Sequence, residues 1–145
     1  MTAIDAHMHF LVWPKNNPAW QSDLEKLQPQ AEELWNRVHA AVPQMAVRPC
    51  RSINVAGLLE GDGASTTAAG LAYYAAQEMG QRVLLVEADL RRPVLNELGL
   101  CPRCPGLVGL LDGKASLKNV VFDLPSAGFH VLPAGQALQS PSTRI

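Results

Sequence analysis

The clearest pattern along the chain is an alternation of apolar runs and polar loops in its central part. An apolar run at Ser52–Leu58 is followed by a glycine-bearing loop, Glu60–Thr66, and then by an alanine-rich segment, Thr66–Met79. A second apolar run, Val83–Val86, leads into the charged sequence EADLRRP. Continuous apolar runs are typical of strands that are covered on both faces of a sheet. The order predicts a strand, a loop, a helix that Gly80 ends, and a second strand.

A different period precedes this unit. Between Ser22 and Val42 the apolar residues recur about every 3.6 positions, which predicts an amphipathic helix. Ser22 and Glu25 have the spacing of a capping box. Pro29 falls early enough to lie in the first turn of the main helix, and Pro43 ends it.

The remaining apolar segments are shorter. Pro93–Leu98 and Leu107–Leu111 are predicted to be short helices, and Phe129–Leu132 a further core strand. Leu117–Phe122 is apolar, and we expect it to pair or pack at an edge of the sheet. The pattern predicts three parallel core strands joined by crossover helices.

Composition narrows the range of functions. The chain has 145 residues, enough for one domain with a real core, and its net charge is −1. A balance of this kind predicts no bulk attraction to nucleic acid or to a membrane surface. Three cysteines without a signal peptide favour a reducing, cytoplasmic compartment. No apolar run approaches the roughly 20 residues of a membrane-spanning helix.

The loop between the first strand and its helix carries candidate phosphate chemistry. Gly61 and Gly63 allow the backbone to turn its N–H groups around an anion, and the following helix directs the positive end of its dipole to the same place. Ser65 offers a hydroxyl for a magnesium ion. Ala64 stands where a P-loop has its lysine. The candidate phosphate-binding residues are Gly61, Asp62, Gly63, Ala64, Ser65 and Thr66.

The second strand ends in a matching set of charges. Glu87 and Asp89 lie two residues apart at the carboxyl end of the strand, which is where open α/β sheets bind ligands. With Ser65 they form a candidate magnesium site, and they are the candidate catalytic residues. Arg91 is a further candidate for phosphate binding. The alternative is a glycine turn in some other α/β protein.

Together these motifs resemble the bacterial tyrosine kinases, the P-loop autokinases of capsule and exopolysaccharide export. GDGASTTAAGLA followed by VLLVEADLRRP is similar to that family's Walker A and Walker A′ motifs. The likeness continues through Pro105–Gly113 and Phe129–Gly135. The wider group includes the partition and division-site ATPases.

The resemblance implies a doubly wound parallel sheet with P-loop NTPase-like topology, here incomplete. It divides the chain into an N-terminal extension (1–21), an adaptor helix and linker (22–50) and a partial nucleotide-binding domain (51–145). It also implies ATP and Mg²⁺ as cofactors and a tyrosine as phosphate acceptor. The expected partners are a membrane polysaccharide co-polymerase, which would recruit the chain to the inner face of the membrane, or a second copy.

Departures from the family predict impaired catalysis. Ala64 replaces the lysine, Glu87 replaces an aspartate, and Glu60 stands where proline is usual. The chain ends at Ile145 before a Walker B segment and a tyrosine cluster, so we expect either a longer protein or one that relies on a partner. The alternative function is that of a non-catalytic scaffold or regulator.

Other candidate sites are weaker. His7 and His9 have the spacing of a metal-binding strand, but the further ligands of an amidohydrolase barrel are missing. Cys101 and Cys104 form one Cys-x-x-Cys pair, where a zinc ribbon needs two pairs or two histidines; plain loop cysteines are favoured over zinc. Tyr73 and Tyr74 lie in the middle of the predicted helix, which favours packing over phosphorylation.

The adaptor helix carries one further candidate function. The family's oligomerisation motif, Glu-x-x-Arg-x-x-Arg, corresponds to Glu33, Asn36 and His39. The acid is kept and both arginines are replaced, so ring formation is expected to be weak because the bidentate pairs are missing. An ordinary amphipathic helix packed on the sheet is the alternative.

Overall fold

A computed structural model gives the fold, and it describes residues 11–12, 23–41, 52–95 and 103–135. The helices are α1 (Gln28–Ala41), α2 (Ala64–Gln77), α3 (Gly106–Leu111) and α4 (Leu117–Val120). The strands are β1 (Leu11–Val12), β2 (Leu84–Val86), β3 (Phe122–Leu124) and β4 (Phe129–Leu132). The α/β class predicted from the sequence is confirmed.

The four strands form one mixed sheet in the order β1-β3-β4-β2. Strand β2 pairs with β4 in parallel, and β1 pairs with β3 in parallel. Strands β3 and β4 form an antiparallel pair instead, because a tight turn joins them and Gly128 takes a φ of 75°. The predicted parallel relation of the Val83–Val86 and Phe129–Leu132 strands is therefore confirmed, but the sheet as a whole is not parallel.

The main core lies between this sheet and α2. Leu124, Phe129 and Val131 of the hairpin are fully buried, and they share a cluster with Ala72 and Tyr73 of the helix. Buried and exposed residues do not alternate along β4, because both faces of the strand are covered. Helix α2 is therefore held by its alanine-rich face, and this fixes the position of the loop at its N-terminus.

The two ends of α2 are set by glycines in the left-handed region. Gly63 precedes the helix with a φ of 86°, and Gly80 follows it with a φ of 61°, a conformation that costs other residues more. Beyond the last turn, the N–H of Gln81 donates to the carbonyl of Ala75 at 2.9 Å. The predicted helix Thr66–Met79 and its glycine end are confirmed, displaced by two residues.

The predicted strand at Ser52–Leu58 is wrong. Residues 52–57 have no regular secondary structure, and most of this segment is exposed. The Leu58 side chain is 97% exposed and that of Ile53 38%. A strand needs a partner for its backbone groups, and within the described residues β2 is hydrogen-bonded only to β4. An apolar sequence alone does not supply that ladder.

The other predicted elements have mixed outcomes. The amphipathic helix is confirmed as one short helical turn at residues 23–26 followed, after Leu27, by α1. The helix predicted at Leu107–Leu111 is confirmed as α3. Leu117–Phe122 was expected to pair or pack at an edge of the sheet, but it forms α4 and the first residue of β3, which lies between β1 and β4 inside the sheet. Residues 93–95 are not helical, and the rest of Pro93–Leu98 lies outside the described residues.

Candidate functional site

The phosphate-loop candidate is a backbone turn at the start of α2. Gly61 and Gly63 both lie in the left-handed region, with φ of 78° and 86°. A Cβ built at either position would meet nothing within 4 Å, so the conformation rather than space requires glycine here. Helix α2 begins at Ala64 without a side-chain cap. The first N–H groups of a helix lack intrahelical partners and attract anions.

The carboxylate of Asp62 folds back over this turn. It accepts the N–H of Leu58 at 2.6 Å and that of Leu59 at 3.1 Å. The hydrogen bond from Leu59 is the largest cause that lowers the pKa of Asp62; desolvation opposes it, and the N–H groups of Leu58, Ala64 and Asp62 itself lower the pKa further. The Asp62 carboxylate therefore holds backbone N–H groups from the segment before the turn and from the start of α2.

Ala64 and Ser65 occupy the positions of the lysine and the magnesium ligand in the P-loop pattern. Both are partly buried in the first turn of α2. The alanine methyl group carries no charge, so the ammonium that would bridge the outer phosphates is missing. Ser65 lies where the sequence placed it, at the helix start beside the turn.

Glu87 follows β2 directly and is buried, with 7% of its surface exposed. Its Oε1 accepts the N–H groups of Val94 at 2.5 Å and Leu95 at 2.9 Å, and its Oε2 accepts that of Ala134 at 3.0 Å. Both oxygens thus bind backbone N–H groups. A metal or catalytic role for Glu87 stays a prediction, and it requires that these hydrogen bonds be exchanged.

Asp89 is exposed and organises the basic tail. Its Oδ1 accepts the N–H groups of Arg91 at 3.1 Å and Arg92 at 3.2 Å. The turn that results directs Arg92 to Glu60, whose carboxylate lies 2.7 Å from the guanidinium. Arg91 is exposed. The ion pair joins the tail after β2 to the loop before α2, so the two candidate nucleotide motifs meet.

Sequence reasoning missed the partners inside this site. It identified Asp62 as a loop residue and Glu60 as a departure from the family pattern, but not the hydrogen bonds of Asp62 or the pair of Glu60 with Arg92. The signal available was the presence of two acids in a segment expected to bind anions. Two acids beside an anion site predict repulsion unless each has a partner.

Helix α1 packs across α2 and leaves a groove beside the loop. The groove has a volume of about 360 Å³ and is lined mainly by apolar and small residues. From α1 and the turn before it come Leu27, Ala31 and Leu34, with Gly63, Thr66 and Gly70 from the loop and α2. The adaptor helix therefore lies next to the phosphate-loop candidate.

The secondary candidates are placed as follows. Tyr73 is buried in the main core, and Tyr74 packs against Trp35 of α1 with ring centroids 6.2 Å apart, so the prediction of packing is confirmed. Desolvation, then the carboxylates of Glu32 and Glu78, raise the pKa of Tyr74.

The remaining candidates are the positions of the family's oligomerisation motif and the cysteines. Glu33, Asn36 and His39 are exposed on α1, and the His39 ring stacks on Trp35. Burial raises the pKa of the half-buried Cys104 thiol. Cys50, Cys101, His7 and His9 lie outside the described residues.

The described residues offer neither a metal-binding cluster nor a membrane-spanning helix. No group of three or more His, Cys, Asp or Glu side chains in that part of the chain is placed to hold a metal ion. None of the helices there has the length and apolar character to cross a membrane.

No protein-family model matches the chain. Among curated proteins, the chain is 34% identical over 95 residues to the tyrosine-protein kinase YwqD of Bacillus subtilis. This match covers 66% of the chain and 40% of that protein. It is 27% identical to the tyrosine-protein kinase CpsD of Streptococcus agalactiae, over 80% of this chain and 50% of that one. The chain thus spans at most half the length of these relatives.

Among solved structures, the kinase domain of the Escherichia coli tyrosine kinase ETK superposes with a TM-score of 0.71 and 26% identity. The match covers 90% of this chain and 50% of that domain. The fold and the order of the motifs therefore agree with the sequence likeness.

Proposed function

Because the chain belongs to the bacterial tyrosine-kinase family, we propose that it binds the phosphates of ATP at Gly61–Thr66 and transfers them poorly or not at all. The observation that carries this proposal is the ion pair of Arg92 with Glu60. It brings the basic tail after β2 against the glycine turn before α2. A nucleotide site of this kind needs both elements, since one supplies N–H groups and the other supplies cationic side chains.

The residues present fit magnesium and a triphosphate in part. Anion binding near the turn is supported by the Asp62 carboxylate, which accepts the N–H groups of Leu58 and Leu59 just before the turn. Ser65 at the helix start and Asp89 at the strand end would hold the ion. The two backbone hydrogen bonds of Asp89 use Oδ1 and do not engage Oδ2. Bound Mg²⁺ would supply charge neutralisation between the outer phosphates.

Phosphate transfer is expected to be slow for reasons that lie in single residues. Phosphoryl transfer depends on positioning and on charges directed at the transferred group. Ala64 has no charge to offer, and the Glu87 carboxylate is committed to three backbone N–H groups. Tyr73 and Tyr74 are buried in α2, so neither is presented as an acceptor.

A second candidate function is that of a scaffold for a polysaccharide export system, and the surface favours it. Leu58 and Leu59 beside the loop are 97% and 79% exposed. Large apolar side chains that are exposed together are typical of a surface that binds a partner. One relative is the succinoglycan biosynthesis transport protein ExoP of Rhizobium meliloti, with 34% identity over 74% of this chain. On this hypothesis the partner is a membrane co-polymerase.

Calorimetry with Mg-ATP and Mg-ADP tests the first proposal. We expect weak binding by the natural chain and tighter binding by Ala64→Lys, because the added ammonium lies in the first turn of α2 beside the loop. Asn36→Lys adds the same charge on the exposed face of α1 and is the matched control. Equal affinities for the two lysine variants would show that only net charge matters. No binding by any of the three proteins would overturn the proposal and favour the scaffold.

A further inference from the structure

The phosphate-loop candidate is closed by its own acid. The Asp62 carboxylate accepts the N–H groups of Leu58 and Leu59 from the preceding segment. The N–H of Ala64, the first residue of α2, and that of Asp62 itself act on the same carboxylate. These groups lie on both sides of the turn made by Gly61 and Gly63, and the N–H groups of Asp62 and Ala64 are among those that a phosphate bound at Gly61–Thr66 would need.

The contact is close and leaves no room between the carboxylate and the backbone. A Cβ at Gly57 would collide with both oxygens of Asp62. Gly57 has no left-handed φ, so the space it leaves, and not its backbone conformation, is what the carboxylate uses. The segment 57–59 and the turn after it are therefore held together through Asp62.

A second acid occupies the cationic half of the site. The Glu60 carboxylate lies 2.7 Å from the Arg92 guanidinium, and both side chains are about half or more exposed. Arg92 belongs to the basic tail that a nucleotide would use. The N–H groups and the guanidinium are thus each paired with a carboxylate of the loop, in the manner in which each would pair with phosphate.

We propose that Asp62 and Glu60 hold the loop in a self-closed state, in which their carboxylates take the place of phosphate groups and a nucleotide must displace them. This inference rests on the proposed function, since it describes regulation of the same site. Apparent affinity falls in proportion to the fraction of molecules that are open. If about one molecule in ten is open, binding is weakened about tenfold.

The decisive test compares two variants of Asp62. Asp62→Asn removes the charge and weakens the contact with the N–H groups. Asp62→Glu keeps the charge but has a longer side chain. Its carboxylate therefore lies beyond the N–H groups that the Asp62 carboxylate reaches. If the position of the carboxylate closes the loop, both variants bind phosphate about five- to tenfold more tightly than the natural chain. If only charge repulsion matters, Asp62→Glu behaves like the natural chain.

The probe is inorganic tripolyphosphate, measured by calorimetry alongside Mg-ATP. Asp23→Asn makes the same exchange at an exposed position of the turn before α1 and controls for net charge. Glu60→Gln tests the second half of the closed state and is expected to tighten binding as well. Circular dichroism and thermal unfolding verify that each variant is folded. We expect all of them to fold, because the substituted side chains are exposed.

Every outcome of these measurements either supports or overturns the self-closed loop. Tighter binding by both Asp62 variants supports the self-closed loop, and tighter binding by Asp62→Asn alone overturns it in favour of simple repulsion. Equal binding by all proteins also overturns the inference but leaves the proposed nucleotide site standing. No binding of tripolyphosphate or Mg-ATP by any protein overturns both, because the loop then has no anion to regulate.

Discussion

The carboxylate of Glu87 ties three segments of the chain together. It lies at the end of β2 and accepts N–H groups from residues 94 and 95 and from Ala134. All three N–H groups lie outside the helices and strands, so the carboxylate supplies the partner that regular backbone pairing would otherwise give. A buried charge that is fully hydrogen-bonded stabilises a fold, whereas removing its charge leaves donors without a matching acceptor.

We therefore expect Glu87→Gln to lower the free energy of unfolding by about 1–3 kcal/mol. Its amide NH₂ would face at least one backbone N–H, which places two donors against each other. Urea unfolding followed by circular dichroism measures the change. Glu78→Gln alters an exposed acid that accepts one side-chain hydrogen bond, from Gln28, which the amide oxygen can still accept; it is the control, expected to change stability by less than about 0.5 kcal/mol. Equal stability of Glu87→Gln and the natural chain would contradict this.

The pH dependence of the loop follows from Asp62. Hydrogen bonds from Leu59 and then from Leu58, Ala64 and Asp62 lower the pKa of this carboxyl below its usual value of 3.8. A group with a lowered pKa stabilises the folded state above the unfolded pKa and loses that contribution as the pH falls through the folded pKa. The closed loop should therefore persist throughout neutral pH and open only below about pH 3.8.

Carboxyl-detected NMR titration of Asp62 measures this directly, with a midpoint expected below 3.8. In Gly57→Ala the added methyl group displaces the carboxylate, so the midpoint should move up toward 3.8. A natural chain that titrates at or above that value would show that the contact does not form in solution.

At the scale of residues, the sequence predicts which side chains belong to the candidate site better than it predicts which atoms those side chains contact. The glycines at 61 and 63 and the acids at 87 and 89 were identified because few residue types suit those positions. Their partners were not, because a carboxylate beside N–H groups of its own loop gives no periodic signal. Only the folded backbone decides whether Asp62 reaches Leu58 or solvent.

At the scale of elements, the crossing of α1 and α2 determines how the adaptor helix lies on the site. Gly70 of α2 is buried and faces the side chain of Leu27, with Ala31 near by. A Cβ built at Gly70 would lie 3.5 Å from the nearest atom of Leu27. That is an ordinary van der Waals contact, so a methyl group fits while a larger side chain does not.

Gly70→Ala is expected to raise the free energy of unfolding by about 0.5–1 kcal/mol, because alanine restricts the unfolded chain and favours a helix. Gly70→Leu should instead lower it by about 1–3 kcal/mol through overpacking. Thermal and urea unfolding of both variants measure the pair. If both destabilise equally, the two helices are packed more closely than the structure shows.

Helices α1 and α2 were predictable because their apolar period and their end residues agree. Pro29 lies in the first turn of α1, and Gly80 follows the end of the alanine-rich α2. The strand at Ser52–Leu58 was wrongly predicted because apolar composition favours burial but does not supply a neighbouring strand. The antiparallel β3–β4 pair was not foreseen, since Leu117–Phe122 was expected to pair or pack at an edge and the turn signal at Gly128 was not used.

At the scale of the molecule, nucleotide binding and tyrosine phosphorylation should be separable. In the proposed function, binding rests on the loop and on Arg92, and the ion pair of Arg92 with Glu60 brings the two together. Transfer needs an exposed acceptor, and the chain's two tyrosines, Tyr73 and Tyr74, are 5% and 9% exposed in the middle of α2. Repair of the charge at position 64 therefore restores one step without the other.

The test is to incubate Ala64→Lys and the natural chain with Mg-ATP and to search both for phosphotyrosine by mass spectrometry. Nucleotide binding is measured on the same samples. An absence of phosphotyrosine is then interpreted only for samples in which ATP is bound. We expect Ala64→Lys to bind Mg-ATP and to carry no phosphotyrosine above the natural chain, because an acceptor must leave the core before it can react. Phosphate on Tyr73 or Tyr74 would show that α2 opens in solution. The burial of the tyrosines would then not limit phosphorylation, and the weak transfer proposed for the natural chain would rest on Ala64.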